Sequence, residues 1–121
     1  MSKVILAIDD SLTIRELVNF VLTGAGYTVD LAEDGVDGLE RLKKRVPDVI
    51  VTDVNMPRMD GLSFIERARS VPELRSIPIL VLTTETDPAK KKRARDAGAT
   101  GWIVKPFSPP QLLNALRRVA A

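Results

Sequence analysis

The run Val49-Ile50-Val51-Thr52-Asp53 constrains the fold of this chain more than any other stretch. It is short, apolar and rich in β-branched residues, it ends on a carboxylate, and Asn55 and Pro57 follow as turn formers. Such a run reads as a strand buried on both faces that delivers Asp53 to its carboxyl end. Val4-Ile5-Leu6-Ala7-Ile8 repeats the pattern and ends on Asp9-Asp10. Ile79-Leu80-Val81-Leu82 ends on Thr83-Thr84, and Gly101-Trp102-Ile103-Val104 ends on Lys105-Pro106. If these strands are parallel neighbours, three carboxylates, a hydroxyl and an ammonium gather at one sheet edge.

Helical periodicity fills the intervals. Asp10 or Ser11 can cap a first helix, Thr13 with Glu16 has capping-box spacing, and Ile14, Leu17, Val18, Val21 and Leu22 form one apolar stripe. Gly24 and Gly26 end that helix. Residues 27–32 alternate and read as a short strand near a sheet edge. Asp34-Gly35 opens a second helix with Val36, Leu39, Leu42 and Val46 inward, and Pro47 stops it. A third helix, after a loop over 57–61, buries Leu62, Ile65 and Ala68; a loop over 71–76 follows. Asp87-Pro88 is a strong helix start. Ala89, Ala94 and Ala97 are the only apolar residues of the helix it opens, so that helix buries little area and is either the element most apt to shift or a short edge helix with no role. Ser108-Pro109 starts a last helix with Leu112, Leu113, Leu116 and Val119 inward. Strands alternating with helices predict an α/β domain: a parallel sheet with helices on both faces. Such sheets bind ligands outside the strand carboxyl ends, where the strand order reverses.

Composition removes several chemistries. With no cysteine and no histidine, disulfides, thiolate metal sites, imidazole catalysis and typical zinc sites are excluded. The 121 residues suit one domain. The N-terminus lacks the order of a signal peptide and no apolar run is long enough to span a bilayer, so a cytoplasmic protein with no membrane partner is expected. Net charge is +2, and the one dense basic cluster, Lys90-Lys91-Lys92-Arg93, reads as a solvated helix face rather than a nucleic-acid surface.

Clustered carboxylates repel: a pair at about 4 Å costs on the order of 4 kcal/mol at an effective dielectric of about 20. A shared proton or a cation must offset that charge. An all-oxygen site suits Mg²⁺, which readily joins a phosphate. With the charge offset, Asp53 can act as a nucleophile and form an acyl phosphate. Phosphoryl transfer needs positioning and neutralisation, so the lack of histidine is no obstacle. Lys105 would supply a point charge and Thr83 a hydroxyl to the phosphoryl oxygens. Singly, each residue has a plainer reading: Asp9-Asp10 as a helix cap, Asp53 and Thr83 as ordinary strand ends, Lys105 as a surface lysine. Their coincidence at four strand ends favours a site.

The paired acids after the first strand, Asp53-Val54-Asn55-Met56-Pro57, Thr83-Thr84 and Lys105-Pro106-Phe107 together resemble the response-regulator receiver domain over essentially the whole chain. Residues 9–15 and 97–107 look most like the stand-alone chemotaxis receivers (CheY-like). The resemblance implies a flavodoxin-like, doubly wound sheet with strand order 2-1-3-4-5. It also implies a single receiver domain over residues 1–121 with no output domain. Asp53 would be the phosphoacceptor. Asp10 and Asp53 would ligate Mg²⁺ directly, with the backbone carbonyl of Asn55, and Asp9 through water. Thr83 and Lys105 would contact the phosphoryl group, and the peptide before Pro106 would be cis. Trp102 would be the switch aromatic, turning inward when Thr83 moves. Asn55 and Glu85 would flank the acyl phosphate and influence how fast water reaches it. Thr84 stands where the family commonly has alanine, and Trp102 where tyrosine or phenylalanine is more usual.

The resemblance further implies a phosphorylation-switched binding module rather than an enzyme, one that catalyses its own phosphorylation and dephosphorylation. A histidine kinase would donate the phosphoryl group. The face made by the 87–97 helix, the fifth strand and the last helix would bind a flagellar motor switch protein or another effector, with a phosphatase as a further partner and a monomer as the default. A phosphate sink or relay intermediate is the rival within the family. The rival outside it is an aspartyl-phosphate phosphatase of the haloacid-dehalogenase type. Asn55 stands where that enzyme needs a second acid, which argues against it.

Overall fold

The apolar runs form strands, and helices connect them in strict alternation. The order is β1 (Val4–Ile8), α1 (Leu12–Gly24), β2 (Thr28–Ala32), α2 (Gly35–Lys44), β3 (Val49–Thr52), α3 (Gly61–Arg69), β4 (Ile79–Thr83), α4 (Pro88–Ala97), β5 (Gly101–Val104) and α5 (Pro109–Val119). This is a computed structural model and it describes residues 2–120; Met1 and Ala121, which the one-domain expectation includes, lie outside the described residues. The five strands pair in parallel in the order β2-β1-β3-β4-β5. That is the flavodoxin-like order expected above, with its reversal between β1 and β3.

Register aligns the strand ends. Ile8 lies opposite Ala32 and Thr52, and Thr83 lies opposite Val104. The Asp53 N–H donates to the Ile8 carbonyl (3.0 Å) and the Lys105 N–H to the Thr83 carbonyl (2.8 Å). Asp9, Asp53, Thr83 and Lys105 therefore leave the sheet at one level.

Alternation along the strands divides the core in two. Leu6, Ile8, Ile50, Ile79 and Val81 face α2, α3 and α4, whereas Ile5, Ala7, Val49, Val51, Leu80, Leu82 and Ile103 face α1 and α5. Two expected core positions are on the surface. Leu17 is 41% exposed, because Ile14, Val18 and Leu22 follow one row of i, i+4 neighbours and Leu17 stands one residue off it. Val46 is 52% exposed, because α2 ends at Lys44. Ser11, not Asp10, caps α1, and Thr13 lies inside the helix rather than at a capping box. Phe64 is fully buried, and the loop over 71–76 holds a short 3-10 turn, Pro72–Leu74, that buries Leu74.

Helix α4 buries only Ala94 among its residues. Polar ties hold the rest: Arg93 to Glu66 (2.9 Å), Lys90 to Glu85 (2.9 Å), and the Arg69 guanidinium to the carbonyl of Gly98, the left-handed C-cap (2.9 Å from Nη2).

The β3–α3 loop is fastened to α2 by one ion pair. Asp34 caps α2 through the Asp37 N–H (2.9 Å) and accepts two bonds from Arg58, Nε to Oδ2 at 2.7 Å and Nη2 to Oδ1 at 3.1 Å. Burial pushes the Asp34 pKa up, but the Arg58 guanidinium and the Asp37 and Val36 N–H groups outweigh burial, so it lies below the ordinary aspartate value. A carboxyl lowered by folding stabilises the fold above its unfolded pKa and stops doing so as pH falls through its folded one. Stability is therefore expected to decline as pH drops below about 4. Asp34→Asn keeps the cap and breaks the pair; it should cost about 2 kcal/mol near neutral pH and flatten that acid limb, as urea titrations across pH will show.

Candidate functional site

The site is built where β1 and β3 end side by side. One oxygen from each of Asp9, Asp10 and Asp53 lies within 4.8 Å of the others. Asp9 and Asp53 are 5% and 8% exposed; Asp10 is on the surface. Each buried carboxylate binds its own turn through one oxygen: Asp9 Oδ1 accepts from the Ser11 N–H (2.9 Å) and Asp53 Oδ1 from the Val54 N–H (2.7 Å). The second oxygens converge on Lys105, whose Nζ lies 2.6 Å from Asp9 Oδ2 and 3.1 Å from Asp53 Oδ2. The Lys105–Pro106 peptide that follows β5 is cis, as the resemblance implies.

Burial pushes the Asp9 carboxyl above its usual range, with the bonds from Lys105 and the Ser11 N–H opposing it. Burial alone would lower the Lys105 pKa, but Asp9 and Asp53 together raise it, so the ammonium is held charged. Three carboxylates against one ammonium leave a charge of −2.

That donor set fits Mg²⁺. Every donor is a hard oxygen, the residual charge matches a dication, and Asp10 is open to solvent. Oxygens around a Mg²⁺ at about 2.1 Å span at most about 4.2 Å, and the three acid oxygens here lie within 4.8 Å of one another. With that charge balanced, the two buried carboxylates and the ammonium form a surface on which an electrophile bearing anionic oxygens can rest.

Thr83 is fully buried at the end of β4, but its hydroxyl accepts from the Glu85 N–H (3.1 Å) and bonds none of the three acids. Trp102 is half-buried in β5 opposite Val81, where it packs on the α4 side of the sheet rather than joining the acids. Asn55 and Glu85 meet: Asn55 Nδ2 donates to Glu85 Oε1 at 3.2 Å. Lys90 donates to the same oxygen, and the Thr86 and Asp87 N–H groups to Oε2. The bonds from Lys90, then Asn55, then the Asp87 N–H lower the Glu85 pKa to about 2. Sequence reasoning assigned Lys90 to a solvated face; its tie to Glu85 crosses a helix start, where no periodicity points to it. The Asp34–Arg58 pair was missed as well, since only the preference of aspartate for a helix cap was visible there.

A family model for the response regulator receiver domain matches residues 5–117. Response regulator MprA of Mycobacterium ulcerans (strain Agy99) is 42% identical over 117 residues, which cover 97% of this chain and 50% of that protein. The chain thus spans about half the length of the curated relatives it matches. Among solved structures, the chemotaxis protein CheY4 of Vibrio cholerae superposes with a TM-score of 0.94 at 47% identity, covering 98% of this chain and 99% of that one. The receiver domain of sensor histidine kinase PA1611 from Pseudomonas aeruginosa PAO1 has a TM-score of 0.91 at 26% identity, over 99% of this chain and 98% of that one, and its active site cleft coordinates a magnesium ion.

Proposed function

This chain belongs to the response regulator receiver family, and we propose on that basis that it is a receiver whose Asp53 accepts a phosphoryl group from a histidine kinase. The observation that carries the reading is the Asp9–Asp10–Asp53 cluster with Lys105 bridging its two buried members. Asp10, Asp53 and the Asn55 carbonyl, with Asp9 through water, would hold Mg²⁺, which when bound would supply charge neutralisation. Asp53 attacks phosphorus in line. The new O–P bond forms as the bond to the donor's imidazole nitrogen breaks, and that electron pair stays on the nitrogen. Lys105 holds the phosphoryl oxygens, and the Thr83 hydroxyl turns from Glu85 toward them. Asn55 and Glu85 flank the acyl phosphate and govern the approach of water.

The switch follows from what is weakly held. Thr83 ends β4, Trp102 lies one strand away, and α4 rests on a single buried alanine. The movement of Thr83 biases Trp102 and α4 between two arrangements, and the α4–β5–α5 face binds its partner in one of them. The likeness to CheY4 favours a flagellar motor switch protein as that partner, in the cytoplasm, with a phosphatase resetting the switch. The protein is then a phosphoacceptor that catalyses its own turnover rather than an enzyme acting on other substrates. The likeness to the receiver of a sensor kinase keeps a relay role as the second reading. No helix among the described residues is long and apolar enough to cross a membrane.

Trp102 is the only tryptophan, so its fluorescence tests the coupling. Mg²⁺ followed by beryllofluoride should change the emission of the wild type and leave Asp53→Asn unchanged. A wild type that responds to neither would make the chain a receiver-shaped scaffold that signals without phosphorylation.

A further inference from the structure

We infer that Arg58 and Asp34 are positioning residues for the metal site: their ion pair sets the backbone of the loop that carries the Asn55 carbonyl. The inference rests on the metal site proposed above.

The loop between Asp53 and α3 is pinned at both ends. The Gly61 N–H donates to the Val54 carbonyl (2.8 Å), and Asp60 caps α3 through the Ser63 N–H (2.7 Å). Its middle holds the one non-glycine residue with positive φ among the described residues, Arg58 at 63°. A side chain in that region is strained, and such strain persists only where the surroundings hold it. Here they do. The planar guanidinium makes a two-bond fork with Asp34, which is 2% exposed and locked as the α2 cap. Beside it the Gly35 N–H donates to the Met59 carbonyl (3.0 Å). A Cβ at Gly35 would meet Met59 Cγ at 2.7 Å, so loop and helix touch backbone to side chain.

Helix α2 is seated on the sheet in turn. A Cβ at Gly38 would lie 2.7 Å from Ile8 Cδ1, and Ile8 precedes Asp9. A rigid path therefore runs from the base of the acid site through α2 and Asp34 to Arg58, three residues beyond Asn55. A carbonyl ligand has no rotamer of its own, so only the backbone can aim it. Releasing Arg58 widens the range over which that carbonyl is presented, and the affinity gained by preorganisation falls.

Calorimetric titration with Mg²⁺ tests this on the intact protein well below its melting temperature. Arg58→Gly suits a positive φ, so the fold is retained while the pair is lost and the loop backbone is freed. Arg58→Gly and Asp34→Asn should each weaken Mg²⁺ about tenfold, the effect usual for residues behind a metal's ligands. The double variant should be no weaker than either one. Asp30→Asn is the control: it breaks a comparable fork, Asp30 with Arg45 (3.0 and 2.7 Å), at the other end of α2 and should leave affinity unchanged. Wild-type affinity in Arg58→Gly overturns the inference, whatever Asp34→Asn does. An equal loss in Asp30→Asn overturns it too, by making the effect general. A wild type that fails to bind Mg²⁺ overturns the metal-site reading itself.

Discussion

Asp53→Asn takes up no phosphoryl group from acetyl phosphate and Mg²⁺, whereas the wild type gains an adduct seen by mass spectrometry and lost on warming: this is the expected result with the largest effect. The amide matches the carboxylate in size and keeps an oxygen for the Val54 N–H, so the strand end is preserved. It has neither the charge nor the lone-pair reactivity to attack phosphorus. Lys105 keeps its shorter bond, to Asp9 at 2.6 Å, so it is not left unpaired. The substitution also removes one of the three carboxylates that make the site attractive to a cation, so Mg²⁺ affinity falls along with reactivity. An adduct that persists undiminished in the variant places the acceptor elsewhere, and Asp9 and Asp10 become the residues to change.

Gly61→Ala should be the most destabilising single methyl in the chain. Gly61 opens α3 where that helix passes against the end of β3. A Cβ there would stand inside the Asp53 carbonyl oxygen, 2.9 Å from its carbon and 3.0 Å from Val54 Cα. All three neighbours are backbone, so no rotamer change relieves the clash; α3 or the Asp53 turn must move. A loss of about 3 kcal/mol or more is expected, since overpacking against a rigid backbone lies at the upper end of such effects. Thermal unfolding followed by circular dichroism should show the midpoint lowered by at least about 10 °C. Gly24→Ala meets nothing within 4 Å and serves as the control that should not unfold early. An unchanged midpoint for Gly61→Ala would mean that the α3 start yields more easily than its packing indicates.

The strands were legible because each is an apolar β-branched run cut off by a polar residue, and the parallel order then sent Asp9, Asp10, Asp53 and Lys105 to one edge. Where the reading failed, the deciding contact was remote in sequence or lay at a helix end. Leu17 matches the apolar stripe of α1 yet stands outside it, since period alone does not say how wide the buried face is. Val46 continues the spacing of α2 after the helix has stopped. The Arg58–Asp34 fork joins residues 24 apart, and positive φ at an arginine has no signature in composition. Thr83 was placed at the right strand end, but which way its hydroxyl turns depends on the Glu85 N–H two residues later. Trp102 shares the sheet with the acids and faces a different layer. A sequence pattern reports which groups share an edge; the direction in which each points depends on contacts that only the fold brings together.

Helix α4 owes its place to Ala94, three ties and two caps, which leaves Lys91, Lys92, Arg95 and Asp96 with no part in the core. Lys92 and Asp96 do pair at 3.0 Å, but an exposed pair of that kind adds little. Descendants of this chain are therefore free to alter those outward residues one at a time. They can acquire a new partner on that surface while inheriting the sheet, the acids and the folding of their parent unchanged.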